Sequence, residues 1–226
     1  MTAASEGTGA FFGRRKGKRL RAGQDDLVQN LLPALRVAPG AALSELFPAP
    51  GRETWLEIGF GGGEHLAAQA RAHPDVNIIG CEPFLNGMAK MLALIDGEGL
   101  TNVRLWDDDV THLLPALPEA AFDRVYILYP DPWPKRRQRK RRLVSDETLS
   151  LLARVMRPGA QLRFATDIDD YAGWGIARIL RSPDFRWTAA RPDDWRRPWA
   201  GWPGTRYEAK ALREGRVPSY LTFVRV

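Results

Sequence analysis

Several things are scarce in this chain, and each scarcity excludes something. One cysteine, Cys81, stands in 226 residues. It cannot form an intramolecular disulfide, which points to a reducing compartment and a cytoplasmic protein. The three histidines, His65, His73 and His112, are scattered, so with a lone thiol they offer no structural zinc set and no metal is expected. No apolar run approaches the roughly 20 residues needed to span a bilayer. No hydrophobic segment precedes the first basic run, so the N-terminus does not read as a secretory signal. Acids are missing from two octets, RRKGKRLR (14–21) with 6 basic groups and KRRQRKRR (135–142) with 7.

That last absence organises the charge. The whole chain has 33 Lys+Arg against 27 Asp+Glu, a net of +6. Outside the octets, 20 basic groups face 27 acids, a net of −7. An acidic body with two basic patches is the footprint of a polyanion binder, either nucleic acid or an anionic membrane surface. The membrane reading is weaker, because neither octet adjoins a large apolar helical face.

The remaining composition is globular, 44% hydrophobic and 27% charged, and the length suits one domain. Residues 1–10 are small and polar and read as disordered, and 1–23 as a flexible basic arm. Residues 24–35 read as a short helix, and 39–52 as a Pro/Gly/Ala linker. From Thr54 short apolar strands alternate with helices. The strands are expected at 54–60, 76–82, 102–107, 124–133, 157–166 and 220–226, and the helices at 64–72, 84–95, 146–156 and 170–180. This rhythm predicts an α/β, Rossmann-like doubly wound, mostly parallel sheet in one domain over 24–226.

Four constellations carry the chemistry. Glu57-Ile58-Gly59-Phe60-Gly61-Gly62-Gly63 follows a strand and opens a helix, so its glycines allow a tight turn and close approach of a ligand. The spacing is G-x-G-x-G, without G-K-S/T, which disfavours a nucleoside triphosphate. Glu82 ends the second strand, where an acid faces ribose hydroxyls, and Asp109 lies just past the third, where it can accept from the adenine amine. Each acid alone also reads as a solvated loop acid. Together they suit an adenosine-bearing, cationic, phosphate-free ligand, and S-adenosylmethionine meets all three conditions.

The third constellation, Tyr129-Pro130-Asp131-Pro132-Trp133-Pro134-Lys135, is a proline-stiffened strand-end loop leading into the second octet. A base could stack near Trp133 while Arg136, Arg137, Arg139 and Lys140 hold phosphate. Arg14, Arg15 and Lys16 would be a second clamp. The fourth is the C-terminal third, where Trp187, Trp195, Trp199 and Trp202 interleave with arginines before Gly204-Thr205-Arg206-Tyr207-Glu208. It reads either as a stacking surface or as core covering the sheet.

The segments LEIGFGGGEHL (56–66), CEPF (81–84), YPDPWPKRRQRKRR (129–142), ATDIDDYAGW (165–174) and GTRYEAKALREG (204–215), with FGRRKGKRLRAGQ (12–24), resemble the bacterial tRNA (guanine-N7-)-methyltransferase family from about Phe12 onward. The resemblance implies a class I methyltransferase fold. It also implies methyl transfer from S-adenosylmethionine to N7 of guanine 46 in the tRNA variable loop, with tRNA as the partner and a monomer or homodimer. It makes Glu57, Glu82, Asp109 and Asp131 cofactor-site acids beside Gly59, Gly61 and Gly63, and makes Asp131 catalytic. Lys135, Asp167, Thr205, Arg206, Tyr207 and Glu208 become substrate-binding. Arg206 and Tyr207 stand where Lys and Phe are common, and Pro134 where His is common. Two alternatives stay open: a methyltransferase acting on an exocyclic base amine, and a non-catalytic RNA-binding protein on the same scaffold.

Overall fold

A computed structural model describes residues 13–47, 49 and 52–226. The expected disorder of 1–10 lies outside these residues, as do positions 48, 50 and 51 of the expected linker. The chain enters through α1 (Ala22–Asn30), α2 (Leu32–Leu35) and α3 (Leu43–Leu46). The single helix expected over 24–35 is thus two, and the second carries proline in its first turn, a position that tolerates a missing N–H.

The βα rhythm follows: β1 (Glu53–Ile58), α4 (Glu64–Ala72), β2 (Val76–Cys81), α5 (Leu85–Glu98), β3 (Val103–Trp106), α6 (Val110–Leu113) and β4 (Phe122–Leu128). A 3-10 turn over Arg136–Arg141 leads to α7 (Asp146–Val155), β5 (Met156–Thr166), α8 (Asp169–Ile179), β6 (Phe185–Trp187), α9 (Asp193–Arg196), α10 (Arg206–Arg213) and β7 (Ser219–Arg225). Sequence periodicity does not announce β6, α6, α9 or α10; three of them are only three or four residues long, too short to show a period. Strand β4 stops at Leu128 rather than Trp133, because Tyr129 turns into the left-handed region at φ 49° and Pro130 cannot donate to a ladder.

The seven strands run β3-β2-β1-β4-β5-β7-β6. Five are parallel, and β7 is antiparallel between β5 and β6. Alternate side chains feed opposite faces. Leu56, Ile79 and Ile127 join one buried layer under α7 and α8, while Trp55, Ile78 and Tyr126 join the other under α4 and α5. Each fully buried aliphatic side chain contributes about 1.5–3 kcal/mol. The strand order reverses between β1 and β4, the switch point at which ligands of such sheets bind. No described helix is long and apolar enough to cross a membrane.

Candidate functional site

A cavity of about 430 Å³ opens at that switch point. Its walls include Gly59 and Gly61 after β1, Glu82 to Phe84 after β2, Asp108 to Thr111 after β3, Tyr129 to Asp131 and Trp133 after β4, and residues 140–143. Gly13, Arg14 and Tyr207 complete the rim. The turns after β1, β2, β3 and β4 thus all contribute, on both sides of the switch point.

The glycine loop is held by geometry that side chains would block. Gly59, Gly61 and Gly63 have φ of 75°, 60° and 84°, a region glycine enters without steric cost. A methyl group on Gly87 of α5 would lie 2.1 Å from the Gly61 carbonyl oxygen. Glu82 ties the loop down: its carboxylate accepts from Gly61 N–H at 2.7 Å and from Phe84 N–H at 2.9 Å. Burial raises its pKa, with the two N–H bonds and Arg206 opposing. A carboxylate has about four lone-pair sites, so Glu82 braces the loop and retains acceptors toward the cavity. Asp109 accepts from Thr111 N–H and Oγ1 at 2.9 and 2.8 Å, capping α6.

Glu57 is placed differently from the sequence expectation. It does not line the cavity. Its carboxylate, 2% exposed, meets Nδ1 of the equally buried His65 at 2.7 Å. A buried acid needs such a partner, and the pair bridges the end of β1 to the first turn of α4, the two arms of the glycine loop. Gly63 likewise does its work as the left-handed cap of α4 and is not a wall.

Asp131 stands on the cavity wall, open to solvent on one side, while the surrounding protein pushes its carboxyl above the usual aspartate range by removing water. The loop carrying it is tightly folded. Trp133 has φ 41°, a costly conformation for a bulky residue, and the Arg141 guanidinium lies 5.0 Å from its ring centroid.

The expected substrate residues divide. Thr205 and Glu208 form a capping box at the start of α10: Thr205 Oγ1 accepts from Glu208 N–H at 3.0 Å, and Glu208 accepts from Thr205 N–H at 3.3 Å. Glu208 also accepts from Trp202 Nε1 at 2.7 Å and from the Tyr220 hydroxyl. Its acceptors are thereby committed within the fold. The box aims Arg206 and Tyr207 at the glycine loop, where a side chain on Gly61 would sit 3.0 Å from the Tyr207 ring. Asp167 pairs with Arg216 Nε at 2.5 Å. Lys135 precedes the 3-10 turn and is exposed, like Arg136 and Arg137.

The basic octets divide too. Arg139 pairs with Asp170 at 2.6 Å, and Arg142 is wholly buried; Lys140 borders the cavity. In the arm, Arg14 reaches the cavity rim and Arg15 pairs with Asp108 at 2.6 Å. Lys16 is exposed. Asn86 grips the next turn of the arm, accepting from Gly17 N–H and donating to the Lys18 carbonyl, both at 2.7 Å. The four tryptophans of the C-terminal third are half-buried and pack against the core. Trp199 and Trp202 join one layer, and Trp187 and Trp195 the other. Sequence reading missed Arg141 and Arg142 as wall and support, because seven neighbouring charges look alike until a fold buries one of them. Among the described residues no cluster of three His, Cys, Asp or Glu could hold a metal.

A family model described as "Putative methyltransferase" matches residues 51–219. The tRNA (guanine-N(7)-)-methyltransferase of Chelativorans sp. is 57% identical over 224 residues, covering 97% of this chain and 96% of that protein. The chain belongs to the tRNA (guanine-N(7)-)-methyltransferase family. The Azorhizobium caulinodans member is 52% identical, with both chains covered fully. Among solved structures, the 16S rRNA methyltransferase KamB matches at TM-score 0.57 and 19% identity, covering 84% of this chain and 99% of its own. TrmN from Thermus thermophilus matches at TM-score 0.56 and 16% identity, covering 81% and 47%. At such identities these two speak for the fold alone. This chain therefore has the class I methyltransferase fold that the resemblance implies, built on the doubly wound sheet that the βα rhythm predicts.

Proposed function

We propose that this chain transfers a methyl group from S-adenosylmethionine to N7 of guanine 46 in the variable loop of tRNA. The observation that carries the reading is the meeting, in one cavity, of a left-handed glycine loop, Glu82, Asp109 and Asp131 beneath a basic rim. Family membership agrees with it.

The residues fit the cofactor. The glycine loop leaves room where any Cβ would intrude, and the acids beside it suit hydroxyls, an amine and a positive charge rather than phosphates. Glu82 would hold the ribose hydroxyls with its remaining lone pairs, and Asp109 the adenine amine. Glu57 supports the loop from beneath through His65. When bound, S-adenosylmethionine supplies a methyl group on a positively charged sulfur.

Guanine N7 has a lone pair and no proton, so this chain needs no general base to create the nucleophile. Its residues must supply alignment and must stabilise positive charge developing on the guanine ring. Asp131 has the position and the sign for the second task, and its carboxylate can also accept from guanine N1–H and the N2 amine. The base must leave its stack to reach the cavity, with Tyr207 and Trp133 offering flanking rings. Lys135, Arg136, Arg137, Lys140 and the arm residues Arg14 and Lys16 would meet the backbone.

The test is methylation of unmodified bulk tRNA, followed by digestion and mass analysis of the nucleosides. N7-methylguanosine is expected; a product methylated on an exocyclic amine overturns the reading, as does no product. Asp131→Ala should lower kcat on the order of a hundred-fold with tRNA binding retained, and near-normal turnover removes Asp131 from the mechanism.

A further inference from the structure

Arg142 is the last residue of the second octet, and its surroundings set it apart. Its side chain is 0% exposed. Its guanidinium lies 4.8 Å from the Tyr171 ring centroid and 4.9 Å from that of Trp174, both on α8. One terminal nitrogen donates to Asp170, at the head of the same helix. Its Nε donates to the Pro132 carbonyl at 2.7 Å. A charge this deep cannot touch a polyanion passing over the surface, and it is retained at a desolvation cost.

The partner on the loop side explains what such a group could do. Pro132 follows Asp131 directly. Pro130, Pro132 and Pro134 have no N–H, so this stretch has few donors with which to anchor itself. Trp133 is meanwhile held at φ 41°, a conformation that persists only when its surroundings overdetermine it. The strap beyond Arg142 is fastened to the same helix. Val144 N–H donates to the Tyr171 hydroxyl at 3.3 Å, and Trp174 Nε1 donates to the Val144 carbonyl at 2.9 Å. Residues 142–144 thus lie bound along α8, and Arg142 reaches from them to the loop.

We infer that Arg142 is a positioning residue for methyl transfer: it fixes the Asp131 loop to α8 and does not grip RNA. The inference rests on the reading of Asp131 given above. A guanidinium suits the place because its planar fork serves Pro132 and Asp170 at once while lying close to two rings; an ammonium is a compact point charge without that preorganised fork.

Three variants test it: Arg142→Gln, Arg142→Lys and Asp170→Asn, each measured for kcat, KM for tRNA, salt dependence of tRNA binding and unfolding midpoint. Displacing a reacting group by about 1 Å can cost a hundred-fold. Arg142→Gln should therefore lower kcat on the order of ten- to a hundred-fold, with KM for tRNA within about two-fold and the salt slope unchanged. Arg142→Lys should recover only part. The acid-side midpoint of the kcat profile should move toward ordinary aspartate as the loop opens to water, a change that mere loss of folded enzyme would not produce. Asp170→Asn removes an exposed partner without emptying the buried site, so it carries the test if Arg142→Gln does not fold; a fall of about three-fold in kcat is expected. A weakened tRNA affinity with a shallower salt slope would make Arg142 a phosphate ligand and overturn the inference. Loss of activity that only follows the folded fraction, with the pH midpoint fixed, also overturns it. If Asp131→Ala turns over normally, the Asp131 reading fails first, and that result is separable from any of these.

Discussion

At the scale of single residues, the acids of the site differ by how much water they keep. Glu82 is buried and spends bonds on the glycine loop, Asp109 on a helix cap, Glu57 on a histidine. Asp131 keeps one open side, and its carboxyl is still raised by the protein around it. A raised carboxyl is neutral below its folded pKa and charged above it. If its charge stabilises a cationic guanine, kcat must rise with pH through that value. The acid limb of kcat is therefore expected above the ordinary aspartate value of about 3.9. In Asp131→Asn the limb should vanish along with most of the rate; an unchanged limb would assign it to another group. Glu82, also raised by burial, is proposed to hold the cofactor and should show itself in KM for S-adenosylmethionine instead. From the sequence, the type of these acids and their place near strand ends were legible, because each lies at or just past the end of an apolar run, although β4 stops at Leu128, short of the expected Trp133. Their partners were not: nothing local to Glu57 tells that His65, eight residues on, will consume its carboxylate.

At the scale of elements, the legible parts are those with a strong period. The parallel strands β1 to β5 and helices α4, α5, α7 and α8 announce themselves by continuous apolar runs and helical spacing. The C-terminal third does not, since its helices are short and its tryptophans fit either a core or a stacking surface. Helix α10 shows how the ambiguity resolves. Its motif is expected to touch substrate; in the fold Thr205 and Glu208 cap the helix, and the cap turns Arg206 and Tyr207 toward the glycine loop. Thr205→Ala removes one half of the box, which costs about 0.5–2 kcal/mol. Thermal unfolding should register that loss, and KM for tRNA should rise more than KM for the cofactor, because the frayed turn carries Tyr207. An equal rise in both would place α10 on the cofactor side.

At the scale of the whole molecule, the separation of charge was visible in the sequence, while the division of labour inside each octet required the fold. Arg136, Arg137 and Lys140 remain exposed, whereas Arg139 and Arg142 turn to Asp170. Replacing the first three by alanine should weaken tRNA binding across all sequences. It should also reduce the slope of log affinity against log salt by about 0.7–0.9 for each phosphate that is no longer neutralised. A slope equal to that of the parent protein would move the RNA path elsewhere. The order of the sheet has a consequence for biosynthesis. Strand β7 is the last of the seven strands in chain order yet pairs in the interior, between β5 and β6, with Thr166 opposite Ser219. Until that segment has been translated, β5 presents a bare edge carrying Leu162 and Phe164, the kind of edge that recruits other chains. The interval between translation of β5 and translation of β7 should therefore be the one in which the nascent chain most needs chaperones.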